Sequence, residues 1–142
     1  MSFPKGICGC SCCCLFFTPS ANPLYRRPTH LRDILGSIDH INEFLRDLDY
    51  AAYQQDRTTR SAVEREMQII TEAAIRLGPD AESLCPGPDW KGFRGMGNLL
   101  RHAYHRVDPR LVWDTVLHEL PPMRLAILRT LTALDPPPPT SS

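Results

Sequence analysis

The sequence contains no run of eighteen apolar residues, so no helical membrane span is expected. It has no excess of charge of either sign. Sixteen Lys and Arg residues balance sixteen Asp and Glu residues, which argues against a strongly basic nucleic-acid coat and against an acidic disordered tail. Period-two alternation is missing too, so no strand competes with the helical pattern and no glycine-rich phosphate loop can follow one. A second cysteine pair is lacking: five of the six cysteines crowd between Cys8 and Cys14, and Cys85 stands alone. That spacing does not make a structural zinc site. Lys5 and the apolar residues after it resemble a weak secretory signal, but no convincing cleavage site of small residues follows. The compartment expected is therefore cytoplasmic, with Cys85 a reduced thiol near a loop.

Composition is otherwise that of a globular domain, and its unevenness divides the chain. Residues 1–27 read as a Cys-rich leader: a frayed extension, or residues added by an upstream start, with soft-metal binding and lipidation as sharper alternatives. Residues 28–134 read as the domain. Residues 135–142, with the run Pro136 to Pro139, read as a disordered tail with polyproline character.

Apolar positions recur at helical spacing throughout the domain. Leu31, Ile34, Leu35, Ile38, Ile41, Leu45 and Leu48 form a first stripe, with Thr29 as its expected N-cap. Ala62, Val63, Met67, Ile70, Ala74 and Leu77 form a second, stopped by Gly78 and Pro79. Arg60, Glu64, Arg65, Gln68, Glu72 and Arg76 fill the opposite, solvated face. A loop with one short turn near Ala81–Leu84 leads to a helix expected from about Trp90 to His105. Asp108 followed by Pro109 starts another, with the stripe Leu111, Val112, Val116, Leu117 and Leu120. Pro121 and Pro122 kink or restart it, and Leu125, Leu128, Leu131 and Leu134 continue it. The pattern predicts an all-α antiparallel bundle of four or five helices.

Chemistry concentrates between Trp90 and Arg110. At roughly 100° per residue, Arg94, Asn98, Arg101, His102 and His105 share one arc of a helix, backed by Phe93, Met96, Leu99, Leu100 and Ala103. Lys91, Arg94, Arg101, Arg106 and Arg110 face a single acid in this stretch, Asp108, so a neutral protein gathers positive charge here. Histidine exchanges protons near neutral pH, and arginine holds phosphate oxygens. The set suits attack of an RNA 2′-hydroxyl on its own phosphate, with one histidine as base and another as acid and no metal required. An ordinary polar helix face gives the same pattern. On a regular helix Tyr104 falls nearer the apolar side, which favours packing. His102 and His105 lack a neighbouring carboxylate or thiol to complete a metal set. Gly92, Gly95 and Gly97 suit close helix–helix approach.

These residues resemble the HepT-like proteins of the HEPN superfamily. The likeness rests on Leu31–Leu35, Val63–Ala74, Pro88-Asp-Trp90, Gly95-Met-Gly-Asn98, His102-Ala-Tyr104, Leu111-Val-Trp113 and Leu120-Pro121. The resemblance implies a small helical toxin of a type VII-like toxin–antitoxin pair. Such a toxin is a metal-independent endoribonuclease that acts on RNA without a cofactor. Its site lies at a homodimer interface, and its partner is an MNT-type nucleotidyltransferase antitoxin. It also implies that His102 is the catalytic histidine, Asn98 its polar partner, and Tyr104 the tyrosine that the antitoxin AMPylates. Two departures stand out. Gly97 occupies the position of the family's arginine, leaving Arg94 or Arg101 to supply that charge, and Thr71 stands where a glycine is common. A catalytically inactive module that binds a nucleotidyltransferase or a nucleotide is the alternative. Trp113 and apolar helix edges suit either a dimer seam or the core.

Overall fold

A computed structural model describes residues 23–135, with no side-chain description for residues 23–26 and Tyr104. Most of the Cys-rich leader and nearly all of the proline-rich tail lie outside the described residues. Among the described residues every regular element is a helix. They are α1 (Pro23–Leu45), α2 (Tyr50–Gln55), α3 (Arg57–Leu77), α4 (Ala81–Leu84), α5 (Trp90–His102), α6 (Pro109–His118) and α7 (Leu120–Leu134). Short 3-10 turns precede α4 at Gly78–Asp80 and follow α5 at Tyr104–Arg106.

The all-α expectation holds, and the five longer helices form the bundle. Helix α3 packs against both α1 and α5, α1 also packs against α7, and α7 packs against α6. Leu31, Ile34, Ile38 and Ile41 of α1 meet Val63, Met67, Ile70 and Ala74 of α3 in one buried core. Steps of three and four residues keep each set on one side of its helix.

Helix ends follow local hydrogen-bond chemistry. Asp49 caps α2 by accepting from the Ala52 N–H at 2.8 Å. Asp56 caps α3 by accepting from the Thr58 and Thr59 N–H groups, and the Thr59 hydroxyl donates to its other oxygen at 2.6 Å. That hydroxyl bond is the chief reason the Asp56 carboxyl titrates below its ordinary value. Gly78 stops α3 at φ 66°, and its N–H reaches the carbonyls of Ala74 and Ile75. Asp108 accepts from the Arg110 N–H with Pro109 in the first helical position. The proline pair restarts the chain: α6 closes at His118 and α7 opens at Leu120.

The structure differs from the sequence expectations at several helices. Thr29 lies inside α1 instead of capping it, because the helix begins at Pro23 and continues through Pro28. Pro28 forfeits a ladder bond near the helix start, where the loss is small beside the packing of the stripe that follows. Helix α2 did not emerge from periodicity because it is only six residues long. The apolar face of α7 is Leu120, Met123 and Ile127, with Leu131 partly buried, while Leu125 and Leu134 are half exposed. A strict three-residue step walks around a helix by about 60° each time, so a leucine run at that spacing cannot hold one face. In α6, Trp113 joins Val112 and Val116 in the core, and Leu111 and Leu117 face outward. The Trp113 ring packs 5.1 Å from Tyr53 and 5.8 Å from Tyr50, centroid to centroid, which makes it a core residue.

Tyr53 is fully buried and its hydroxyl has no hydrogen-bond partner. Burial is the main cause that pushes its pKa up to about 12. Cys85 is a buried free thiol, raised above its ordinary value by the same desolvation.

Candidate active site

Helix α5 carries the candidate groups. Asp89 opens it by accepting from the Gly92 N–H at 3.0 Å. The Trp90 indole N–H donates to the Cys85 carbonyl at 2.8 Å, which ties the incoming loop to the helix. Trp90, Phe93, Gly97 and Leu100 face the core. The polar arc therefore has to face outward, and the exposure pattern agrees: Asn98, Arg101 and His102 are exposed. Asn98 and His102 lie one turn apart, with Arg101 between them.

The helix ends at His102, with the Ala103 N–H bonded to the Leu99 carbonyl at 2.9 Å. The expected continuation to His105 is not seen. His105 leaves the arc, and the backbone of Tyr104 belongs with it to the following 3-10 turn. Arg101 and His102 thus occupy the last turn of α5, where the unsatisfied carbonyls carry partial negative charge that favours cations. No group of three or more metal-ligating side chains forms among the described residues.

The two candidate arginines have different surroundings. Arg94 is three-quarters buried, donates to the Gly78 carbonyl at 3.2 Å and pairs with Glu82 of α4. The pairing holds the Glu82 carboxyl below its ordinary value. Arg94 thereby anchors the turn between α3 and α4. Arg101 is held loosely, with its Nε 3.9 Å from Oε1 of Glu72 on α3.

Of the three glycines on α5, Gly97 makes the close approach to another helix, whereas a Cβ on Gly92 would meet only the capping Asp89. A Cβ on Gly97 would lie 2.9 Å from Cβ of Thr71 and 3.3 Å from Cδ1 of Ile75, whereas one on Gly95 would meet nothing within 4 Å. Gly97 is buried at this crossing of α5 over α3. Arg94 beside Gly78 at the end of α3, and Gly97 beside Thr71 and Ile75, show that the two helices run antiparallel.

Comparison with known proteins decides the family. The model of the Ribonuclease HepT-like family matches residues 34–130, which includes all of α5 and the candidate groups on it. The chain belongs to the HepT-like family. A protein named probable ribonuclease HepT, from Thermococcus cleftensis, is 35% identical over 95 residues, 67% of this chain and 86% of the relative. Two proteins of Methanocaldococcus jannaschii named as RNases are similar as well. One is 34% identical over 66% of this chain and 86% of its own length. The other is 33% identical over 74% of this chain and 90% of its own length. No solved structure gives a significant match.

Within this HepT-like fold the two sequence departures are one structural feature. Gly97, in the place of the expected arginine, and Thr71, in the place of the expected glycine, touch each other across the α3–α5 crossing. The bulk missing from one helix is present on the other. Both positions are visible in the sequence, but nothing in it signals that they meet.

Proposed function

We propose that this protein is a metal-independent endoribonuclease acting in the cytoplasm, and that His102 carries the chemistry. Support comes from membership of the HepT-like family together with the outward placement of Asn98, Arg101 and His102 on α5. His102 takes the proton from a ribose 2′-hydroxyl, whose oxygen attacks the adjacent phosphorus. The bond to the 5′-oxygen breaks, leaving a 2′,3′-cyclic phosphate on one product and a 5′-hydroxyl on the other. The second proton transfer, to the departing 5′-oxygen, comes from His102 of a second copy in a homodimer. Arg101 stabilises charge on the phosphate oxygens and Asn98 orients the phosphate. Arg94, held by Glu82 and Gly78, fixes the turn beside the site.

The deciding experiment is RNA cleavage by the full chain in excess EDTA, with analysis of the product ends. Cleavage that leaves cyclic phosphate is expected. A folded, dimeric protein that leaves RNA intact would shift the reading to a catalytically inactive module for a nucleotidyltransferase or a nucleotide. The observation favouring that second reading is Gly97, which leaves no side chain where the family carries its arginine.

The toxin role, with an MNT-type nucleotidyltransferase as antitoxin, belongs to the same proposal. Tyr104 is its AMP acceptor, placed just beyond the end of α5. Incubation with the antitoxin and ATP is expected to add one AMP to the intact mass of wild type and none to Tyr104→Phe. An unchanged adduct on Tyr104→Phe rejects the assignment.

A further inference from the structure

The solvated face of α3 carries a feature that its charge pattern does not suggest. Glu72 is shared by two guanidinium groups from different helices. Nη2 of Arg76 lies 3.8 Å from one carboxylate oxygen, and Nε of Arg101 lies 3.9 Å from the other. Both distances are too long for hydrogen bonds, so charge alone holds the group together. All three side chains are 40% exposed or more, and ion pairs of that kind hold weakly. Two cations against one anion leave the cluster with a net positive charge. It borders the outward face of α5, since Arg101 is a member of both.

A phosphate competes well with such a carboxylate. It offers oxygens in several directions and accepts short, bidentate bonds from guanidinium groups. Glu72 meanwhile lies between the two arginines. We propose that Arg76 of α3 and Arg101 of α5 form a phosphate-binding pair for the RNA backbone beside His102, with Glu72 as the internal anion that RNA displaces. The pair straddles the α3–α5 crossing, so its positive charge comes from the two helices that meet at Gly97. This inference rests on the ribonuclease reading.

The test measures RNA cleavage and its salt dependence for wild type, Arg76→Ala, Arg76→Lys and Glu72→Gln, with Arg129→Ala on α7 as a charge control. Arg76→Ala is expected to raise KM about tenfold and leave kcat nearly unchanged. It should also lower the slope of log affinity against log salt by about 0.7, the value for one lost single-strand phosphate contact. Arg76→Lys should recover the salt slope. Glu72→Gln should lower KM by freeing both arginines, and Arg129→Ala should match wild type. Cleavage by wild type with KM and salt slope unchanged in Arg76→Ala overturns the pair and leaves the ribonuclease reading standing. Wild type that neither binds nor cuts RNA overturns both.

Discussion

His102→Ala is expected to lower RNA cleavage by at least about two to four orders of magnitude, the range for losing one general acid or base, because in a homodimer it removes both. The fold should be unaffected. His102 is exposed in the last turn of α5, outside the buried cluster, and surface substitutions of this kind change stability by about 0.5 kcal/mol or less. Cleavage rates and a thermal melt on the same preparation separate the two effects. Retained cleavage in a variant that melts like wild type would remove His102 as the proton-transfer group. In a homodimer the loss should also show in mixtures. If one reaction uses His102 from both copies, heterodimers of wild type and His102→Ala lack one of the two proton-transfer groups and should cleave far below half the wild-type rate.

The second large effect is expected at the α3–α5 crossing. Gly97→Arg puts a Cβ 2.9 Å from Cβ of Thr71, a residue only 1% exposed whose hydroxyl donates to the Gln68 carbonyl at 3.0 Å. Neither helix can yield cheaply there, and overpacking of this kind costs about 1–3 kcal/mol. Removing a glycine from a helix interior returns up to about 1 kcal/mol, so the net effect is destabilising. Thr71→Gly alone also destabilises, through the glycine it introduces and the contact it removes. The double variant Gly97→Arg with Thr71→Gly should then melt above the temperature expected from adding the single losses, with a coupling of about 1–3 kcal/mol. Additive losses would show that the two positions do not sense each other. Cleavage by the double variant carries a second answer. Activity gained over wild type would mean that Gly97 had weakened the site, and equal activity would mean that charge from elsewhere already serves.

Much of this was legible in the residues. The core stripes of α1 and α3, the stop at Gly78 and Pro79, the short turn at Ala81–Leu84 and the Asp108–Pro109 start all follow from local rules, and the structure contains each of them. The outward arc of Asn98, Arg101 and His102 follows from helical spacing. What escaped depends on distance in space or on weak local signal. Asp49 and Asp56 are capping residues, but aspartate is equally at home in turns, and α2 between them is too short to show a period. The burial phase of α7 hides among leucines on several sides of the helix. The restraint on Arg94 comes from Glu82 and Gly78 on other elements, and the sharing of Glu72 by Arg76 and Arg101 crosses two helices. Spacing along one helix cannot report either.

The arrangement of α3 also sets how the protein loosens. Its partners α1 and α5 are its neighbours among the long helices in chain order, whereas α7 returns from the far end of the domain to lie against α1. The α1–α7 contact closes the longest loop in the domain, so it carries the largest loop-closure entropy. An opening that lifts α7 breaks the Arg124–Asp39 pair and uncovers part of α1, while the C-terminal half of α5 stays seated on Thr71 and Ile75. Helix α7 also meets the loop that leads into α5, with Thr130 at the Cys85 side chain and Ala126 beside Gly87, so local unfolding of α7 loosens the entry to α5 at Trp90 before it reaches the His102 end.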